Sequence, residues 1–241
     1  MPSEPVRQAV ETRYGYDLWA STYDATPNPI VTVDDEVLSA LIGDVSGQVV
    51  VDAGCGTGRH TVRLAASAAR VIAIDYSEAM LEQLRRKVGG GHVECIAHDL
   101  RTPLPIGSQQ ADGVVCALVG EHIENLVELY RELHRVLRVG GWLVFSVYHP
   151  YLALSGKQAN FTDEHACIEY RLGALKHQIS DYFTAMSDAG FTVELMHEHV
   201  VDDEMISKHS MLMSYRGQPV LLTMRGHAGI GQATHVDLHG R

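Results

Sequence analysis

Basic residues are scarce. The chain carries 19 Lys and Arg against 30 Asp and Glu, a formal net charge of −11 with His neutral. Tracking a phosphate backbone needs a positive face, and so does docking on an anionic membrane; this balance speaks against both partners. Long apolar runs are missing as well. The longest, residues 114–119 and 142–147, fall far short of the roughly 20 residues that a bilayer-crossing helix needs. Residues 1–13 are polar and have no apolar centre, so no secretory leader is expected. Cysteine is rare too: Cys55, Cys95, Cys116 and Cys167 are 4 of 241 residues, and none stands in CxxC spacing. Three of them fall in or beside expected strands. Reduced, buried thiols in a cytoplasmic protein fit that pattern better than a disulfide framework or a zinc ribbon.

Against these absences, 46% of residues are apolar, enough for a real core. Strand and helix signals alternate from about residue 30 to residue 147. Residues 48–53 form a β-branched run followed by glycines, and 57–67 is expected as a helix. Arg70–Asp75 is a second strand. Ser77 is placed to cap a helix in which Met80, Leu81, Leu84 and Val88 recur at helical spacing. Val93–Ala97 and 113–118 are strands three and four. Leu126, Leu129, Tyr130, Leu133, Val136 and Leu137 mark a helix expected to stop at Gly140-Gly141, before a fifth strand over 142–147. Strands that are apolar throughout, separated by amphipathic helices, imply a parallel sheet covered on both faces in an α/β protein. Regularity lapses from 148 to about 176. A helix is expected over 179–189, then strands over 191–196 and 220–224 with a polar, methionine-rich stretch between them. Residues 226–241 read as a frayed tail. The first forty residues read as helices dense in aromatics (Tyr14, Tyr16, Trp19, Tyr23), either core padding or a lid over a pocket.

The sharpest chemical signal is Asp52-Ala53-Gly54-Cys55-Gly56-Thr57-Gly58, set between a strand and a helix. Glycines let the backbone turn and approach a ligand without Cβ interference. The helix that follows presents unpaired N–H groups. Asp75 ends the second strand 17 residues beyond Gly58, where a carboxylate can accept hydrogen bonds from both hydroxyls of a ribose. Asp99 follows the third strand, where a second acid can reach an adenine amino group. Glu121 and His122 stand just past strand four, and His149 just past strand five, at the carboxyl edge where ligands bind in such sheets. Each is a candidate for touching substrate or moving a proton, with His177 a further one. Arg59 and His60 follow the loop directly, placed either to meet a ligand carboxylate or to start a solvated helix. His197 and His199 alternate, so on a strand they share a face. They form a usable metal pair, but no third ligand stands at a telling spacing, and no metal is expected.

VDAGCGTG, IDYSEAML, AHDL, ADGVVCAL and RELHRVLRVGGWLVFS together resemble the motifs of class I S-adenosylmethionine-dependent methyltransferases, over roughly residues 14–147. YDLWASTYD is similar to an N-terminal motif that closes over the cofactor in small-molecule members. GEHIENL is similar to the segment after strand four in the ubiquinone and menaquinone branch. Most members have proline where Val139 stands, a departure that leaves the site alone. The resemblance implies a Rossmann-like α/β fold: a seven-stranded, mostly parallel sheet with an antiparallel last strand, helices on both faces and an N-terminal helical lid. It implies one domain over 1–241, with the lid at 1–43, a cofactor-binding core at 44–147 and a substrate-pocket insert at 148–176. A C-terminal helix and hairpin at 177–225 and the tail at 226–241 complete it. It further implies S-adenosylmethionine as cofactor, held by Tyr16, Tyr23, Asp52, Gly54, Cys55, Gly56, Gly58, Asp75, Tyr76, Met80, Asp99, Leu100 and Ala117. Within that set Asp52 organises the amino end, while Tyr76, Met80 and Leu100 wall the adenine. The expected reaction is methyl transfer to a small-molecule acceptor, with His149, His122 and Glu121 as candidate catalytic groups. A homodimer stays open, because an aromatic lid can be completed by a neighbouring subunit.

Three other readings make different demands on these residues. An NAD-dependent oxidoreductase has a GxGxxG loop, whereas here the third glycine comes one residue early, and it has no standing need for Asp99. An enzyme of this fold that keeps the methyl group and catalyses cyclisation would release no labelled methyl in the presence of its substrate. A non-catalytic partner subunit would not need Asp75, Asp99 and three loop glycines intact.

Overall fold

Strands with apolar residues on both faces leave a central sheet no solvent side. The computed structural model, which describes residues 5–229, covers that sheet with helices on both sides. In chain order the elements begin with β1 (Val6–Val10), α1 (Thr12–Trp19) and α2 (Pro29–Ile42). The alternating core follows: β2 (Val49–Ala53), α3 (Arg59–Leu64), β3 (Arg70–Asp75), α4 (Glu78–Lys87), β4 (Val93–Ala97), β5 (Ala111–Ala117), α5 (Leu126–Val136) and β6 (Leu137–Tyr148). Then come α6 (Pro150–Leu154), β7 (Asn160–Asp163), β8 (Ile168–Leu172), α7 (Ile179–Asp188), β9 (Phe191–Val200), α8 (Asp203–Lys208) and β10 (Pro219–Ala228).

The main sheet has seven strands in the order β4-β3-β2-β5-β6-β10-β9. β10 pairs antiparallel with both β6 and β9, and the pairs from β4 to β6 are all parallel. Side chains alternate faces along each strand, which sorts the core into two layers. Val51, Ile72, Val114, Leu143 and Phe145 pack toward α5 and α7 through Leu129, Tyr130, Leu133 and Met186. Val50, Val71, Val115 and Val144 pack toward α2 and α3 through Leu38, Ile42 and Leu64. Local chemistry sets the helix starts. Asn28 Oδ1 accepts from the Ile30 and Val31 amides with Pro29 opening α2, and Ser77 Oγ accepts from the Met80 amide at the head of α4. The chain leaves β2 toward β3 and β4, then returns to β5 on the other side. The crevice between the ends of β2 and β5 is therefore the point where strand order reverses, the usual place for a ligand in an open α/β sheet.

Four expectations need correction. The helix of residues 126–137 does not run to Gly140-Gly141. α5 stops at Val136 and β6 begins at once, carrying both glycines past a register irregularity opposite β5. The N-terminal lid is not all helix, because β1 precedes α1. The irregular insert contains a hairpin, β7-β8, and β1 pairs parallel with β8 to form a second sheet of three strands. Trp19 stacks on Phe161 with ring centroids 5.0 Å apart, and Phe161 on Tyr170 at 5.1 Å. The lid and the insert are thus one packed unit roofing the sheet edge. Finally, residues 226–228 belong to β10 rather than to a tail, and residues 230–241 lie outside the described residues.

Candidate functional site

The turn after β2 is bent by its glycines. Gly54, Gly56 and Gly58 all have positive φ (80°, 54° and 89°), where L side chains are strained. A Cβ on Gly54 would meet Val119 Cγ2 at 2.2 Å, and one on Gly58 would meet Leu84 Cδ1 at 2.2 Å, whereas one on Gly56 would point into open space. The outer two glycines therefore permit close packing, and the middle one keeps a cradle empty. Asp75 is fixed opposite that cradle. Its Oδ2 accepts from the Gly56 amide at 2.8 Å and its Oδ1 from the Ser77 amide at 2.9 Å. Burial pushes its carboxyl up to about 6, against the lowering effect of those two amides. A cavity opens there, lined by the loop, Asp75, Tyr76, Met80, Asp99 and Leu100 together with Tyr16, Tyr23, Ala117, Leu118 and His122. Leu118 has φ 56°, a left-handed conformation just past β5, so backbone strain is held at the wall of the cavity.

The lid is fastened to the core by polar contacts around this cavity. The Tyr16 hydroxyl lies 3.1 Å from His122 Nε2, and His122 Nδ1 lies 3.1 Å from the Gly173 carbonyl. A carbonyl only accepts, so Nδ1 carries the hydrogen and Nε2 accepts from Tyr16. Burial pushes His122 down to about 4, which keeps the ring neutral. Ser77 Oγ donates to Asp17 at 2.6 Å, Thr57 Oγ1 to Asp24 at 2.7 Å, and Lys87 pairs with Asp24 at 2.6 Å. A second cavity, of about 350 Å3, is lined by Trp19, Pro27, Asn28 and Val31 of the N-terminal segment itself. Tyr23 and Arg59 line both cavities.

The remaining sequence candidates divide. Asp52 is buried beneath the loop rather than lining the cavity; Thr61 Oγ1 donates to it at 2.6 Å. Asp99 lines the cavity, but the Arg101 guanidinium forks its carboxylate at 2.6–3.0 Å and holds it below the usual range. Burial raises the Tyr16 and Tyr23 hydroxyls first, and nearby acidic groups, Glu121 among them, add to it; Glu121 itself lines neither cavity. Burial pushes its carboxyl up to about 7, and Oε2 has no partner among the described residues. His149 does not face the cavity. Its Nδ1 accepts from the Tyr151 amide at 3.1 Å as the cap of α6, and its Nε2 meets Glu198 at 3.0 Å, so both nitrogens are spent on structure. His177 bonds the Ile123 carbonyl at 2.8 Å. His197 and His199 do share a face, with rings 4.6 Å apart, and His199 bonds Thr223 at 2.9 Å. Among the described residues no three His, Cys, Asp or Glu side chains converge as metal ligands.

Sequence reading missed Asp34, which lies fully buried on α2. It accepts from Arg59 Nη2 at 2.6 Å, from His60 Nε2 at 3.1 Å and from Ser146 Oγ. Burial alone would raise its carboxyl, but the His60 hydrogen bond and the Arg59 charge leave it below the usual range. A signal was available: Ile30, Asp34 and Leu38 recur every four residues, which puts the acid on the buried stripe of the helix.

A family model described as a methyltransferase domain matches residues 51–145. An uncharacterized methyltransferase of Emericella nidulans is 30% identical, over 82% of this chain and 84% of its own. A demethylmenaquinone methyltransferase of Clavibacter sepedonicus is 34% identical over 54% of each chain, so this sequence spans about half of that relative. In fold, the chain is similar to an S-adenosylmethionine dependent methyltransferase of Mesorhizobium loti, with a TM-score of 0.68 at 22% identity, covering 80% of this chain and 96% of that one. The empty cradle at Gly56 with a carboxylate across it, and aromatic rings at the mouth, fit an adenosyl sulfonium. By sequence, sheet order and cavity, the chain belongs to the class I S-adenosylmethionine-dependent methyltransferase family.

Proposed function

We propose that this enzyme moves the methyl group of S-adenosylmethionine to an oxygen, nitrogen or carbon of a small-molecule acceptor and leaves S-adenosylhomocysteine. When bound, the cofactor would supply an electrophilic methyl on a sulfonium, a leaving group that needs no activation by the protein. The protein's work is to hold both partners in line and exclude water. Asp75 takes the ribose hydroxyls, and Gly54, Cys55, Gly56, Gly58 and Ala117 shape the floor. Tyr76, Met80 and Leu100 wall the adenine, with Asp99 at its amino edge and Arg101 fixing that acid. Asp52 stabilises the start of α3 from below. Tyr16 and Tyr23 close the mouth.

The second cavity is assigned to the acceptor, since Tyr23 and Arg59 border both spaces. Its walls favour a small molecule, as does the relative named for demethylmenaquinone. The net charge of −11 speaks against nucleic acid. Glu121, pushed up to about 7 by burial, has the pKa of a general base near neutral pH but lines neither cavity, whereas His122 lines the main cavity and holds the Tyr16 hydroxyl there. His149 is assigned no catalytic part. The lid, core and insert act as one domain, and a homodimer that completes the lid is compatible with it. Cys55, Cys95 and Cys116 are free thiols, which supports a reducing, cytoplasmic setting.

The observation that carries the reading is the bridge from the Gly56 amide to Asp75 at the edge of the cavity. The test is transfer of labelled methyl from S-adenosylmethionine to a panel of phenols, carboxylic acids and amines. Label in one acceptor class, with equimolar S-adenosylhomocysteine, is expected. Conversion of an acceptor while the label stays on the cofactor would overturn it.

A further inference from the structure

The aromatic rim of the main cavity repeats one dipeptide, Tyr16-Asp17 and Tyr23-Asp24. In each, the ring lines the cavity and the acid beside it reaches across to the core. Asp17 accepts from Ser77 Oγ at 2.6 Å, next to the strand end that carries Asp75. Asp24, in the short turn Tyr23–Ala25, accepts from Thr57 Oγ1 at 2.7 Å, inside the glycine loop itself. The second contact also carries a cation. Lys87, the last residue of α4, puts its ammonium 2.6 Å from Asp24 and donates to the Thr57 carbonyl at 2.7 Å. Lid, loop and α4 are thus closed into one ring of contacts: hydroxyl to carboxylate, ammonium to carboxylate, ammonium to carbonyl. Tyr23 and Thr57 both line the main cavity, so the ring is fastened across its mouth, whereas Lys87 lines neither cavity. The ion pair is open to water, with 50% of the Asp24 side chain and 33% of the Lys87 side chain exposed. A pair of that exposure holds weakly and is screened by salt. It suits a contact that must part and re-form.

We infer that Lys87 and Asp24 form an ionic latch that sets how fast cofactor and product pass the lid, without setting how tightly they bind. This role rests on the reading of the cavity as an S-adenosylmethionine site and adds a gating step to it. The latch is closed in the free protein, so it must part before a ligand enters. It closes again over the bound ligand and must part before that ligand leaves. Its strength therefore cancels from the equilibrium affinity and stays in both barriers, entry and exit. Because the pair is ionic and half in water, both rates respond to salt. The Asp17–Ser77 contact has a neutral donor and adds no such response.

The test is surface plasmon resonance of the full chain, wild type and Lys87→Met, with S-adenosylhomocysteine at low and at high salt. Methionine keeps the apolar stem of Lys87 and removes the ammonium. The variant should bind and release the ligand roughly 2- to 5-fold faster than wild type, the scale of a partly exposed ion pair, with little change in Kd. High salt should speed both rates in the wild type and leave the variant almost unaffected. A merely structural role gives a different split: loosening the closed form speeds release and slows or spares association. Association that does not rise in Lys87→Met overturns the latch, as does a salt response equal to that of wild type. If Lys87→Met does not fold, Asp24→Asn, which keeps the shape and removes the charge, is measured with the same expectations. A wild type that does not bind S-adenosylhomocysteine refutes the cofactor reading beneath it, a separate failure.

Discussion

Asp75 is held by the Gly56 amide at 2.8 Å and by the Ser77 amide at 2.9 Å, so a single carboxylate ties the glycine loop to the end of β3. Burial is the larger influence and raises its pKa to about 6 in the free protein. Ribose hydroxyls donating to the same oxygens favour the ionised form, so its pKa falls in the complex. Binding then releases a proton below about pH 6. Affinity for S-adenosylhomocysteine should rise with pH up to about 6 and level off above it. Calorimetry across about pH 5 to 8 checks this, and Asp75→Asn should flatten the profile. A flat wild-type profile would mean that Asp75 does not meet the ligand.

Glu121 gives a stability prediction of definite sign. Its carboxyl is raised from the ordinary 4.5 to about 7, first by burial. The folded chain therefore keeps a proton that the unfolded chain gives up, and this group's contribution to stability falls as pH rises from about 4.5 to 7 and is constant above. The Glu121→Gln variant keeps shape without charge. It should be more stable than wild type above pH 7, by up to about 3 kcal/mol, with the gap closing toward pH 4.5. Thermal unfolding of both proteins over that range measures it.

The two glycines that bracket Thr57 should fail in different ways. A methyl at Gly58 meets the fully buried Leu84 at 2.2 Å, with φ at 89°. Gly58→Ala should cost about 2–4 kcal/mol of stability, from overpacking and backbone strain together. At Gly56 no atom lies within 4 Å of the added Cβ. Gly56→Ala should lose about 1 kcal/mol of stability, and its main deficit should be in cofactor affinity. Denaturant unfolding and ligand titration on both variants separate the cases.

Much of the fold was legible because the core strands are buried on both faces and the helices between them keep a clean period. Val50 and Val51 must go to opposite layers, and they do. Asp75 and the three loop glycines were legible because their spacing follows from the strand–turn–helix unit. What stayed hidden depends on distant partners. β1 is mostly exposed along its length and exists because β8, more than 150 residues away, offers it an edge. Gly140-Gly141 reads as a helix stop from local chemistry, yet pairing with β5 draws the chain into a strand at Leu137, ahead of both glycines. His149 stands at the correct edge, but His149-Pro150 opens a helix and the ring caps it. Asp34, in a run of three acids, looks like solvated surface until Arg59, His60 and Ser146 are folded against it.

The most direct measurement is a calorimetric titration of S-adenosylhomocysteine into the wild-type chain and into Asp75→Ala near neutral pH. The account predicts saturable one-site binding to the wild type and a loss of about 1–3 kcal/mol in the variant. No heat with the wild type at millimolar ligand, or equal affinity in the two proteins, would contradict it.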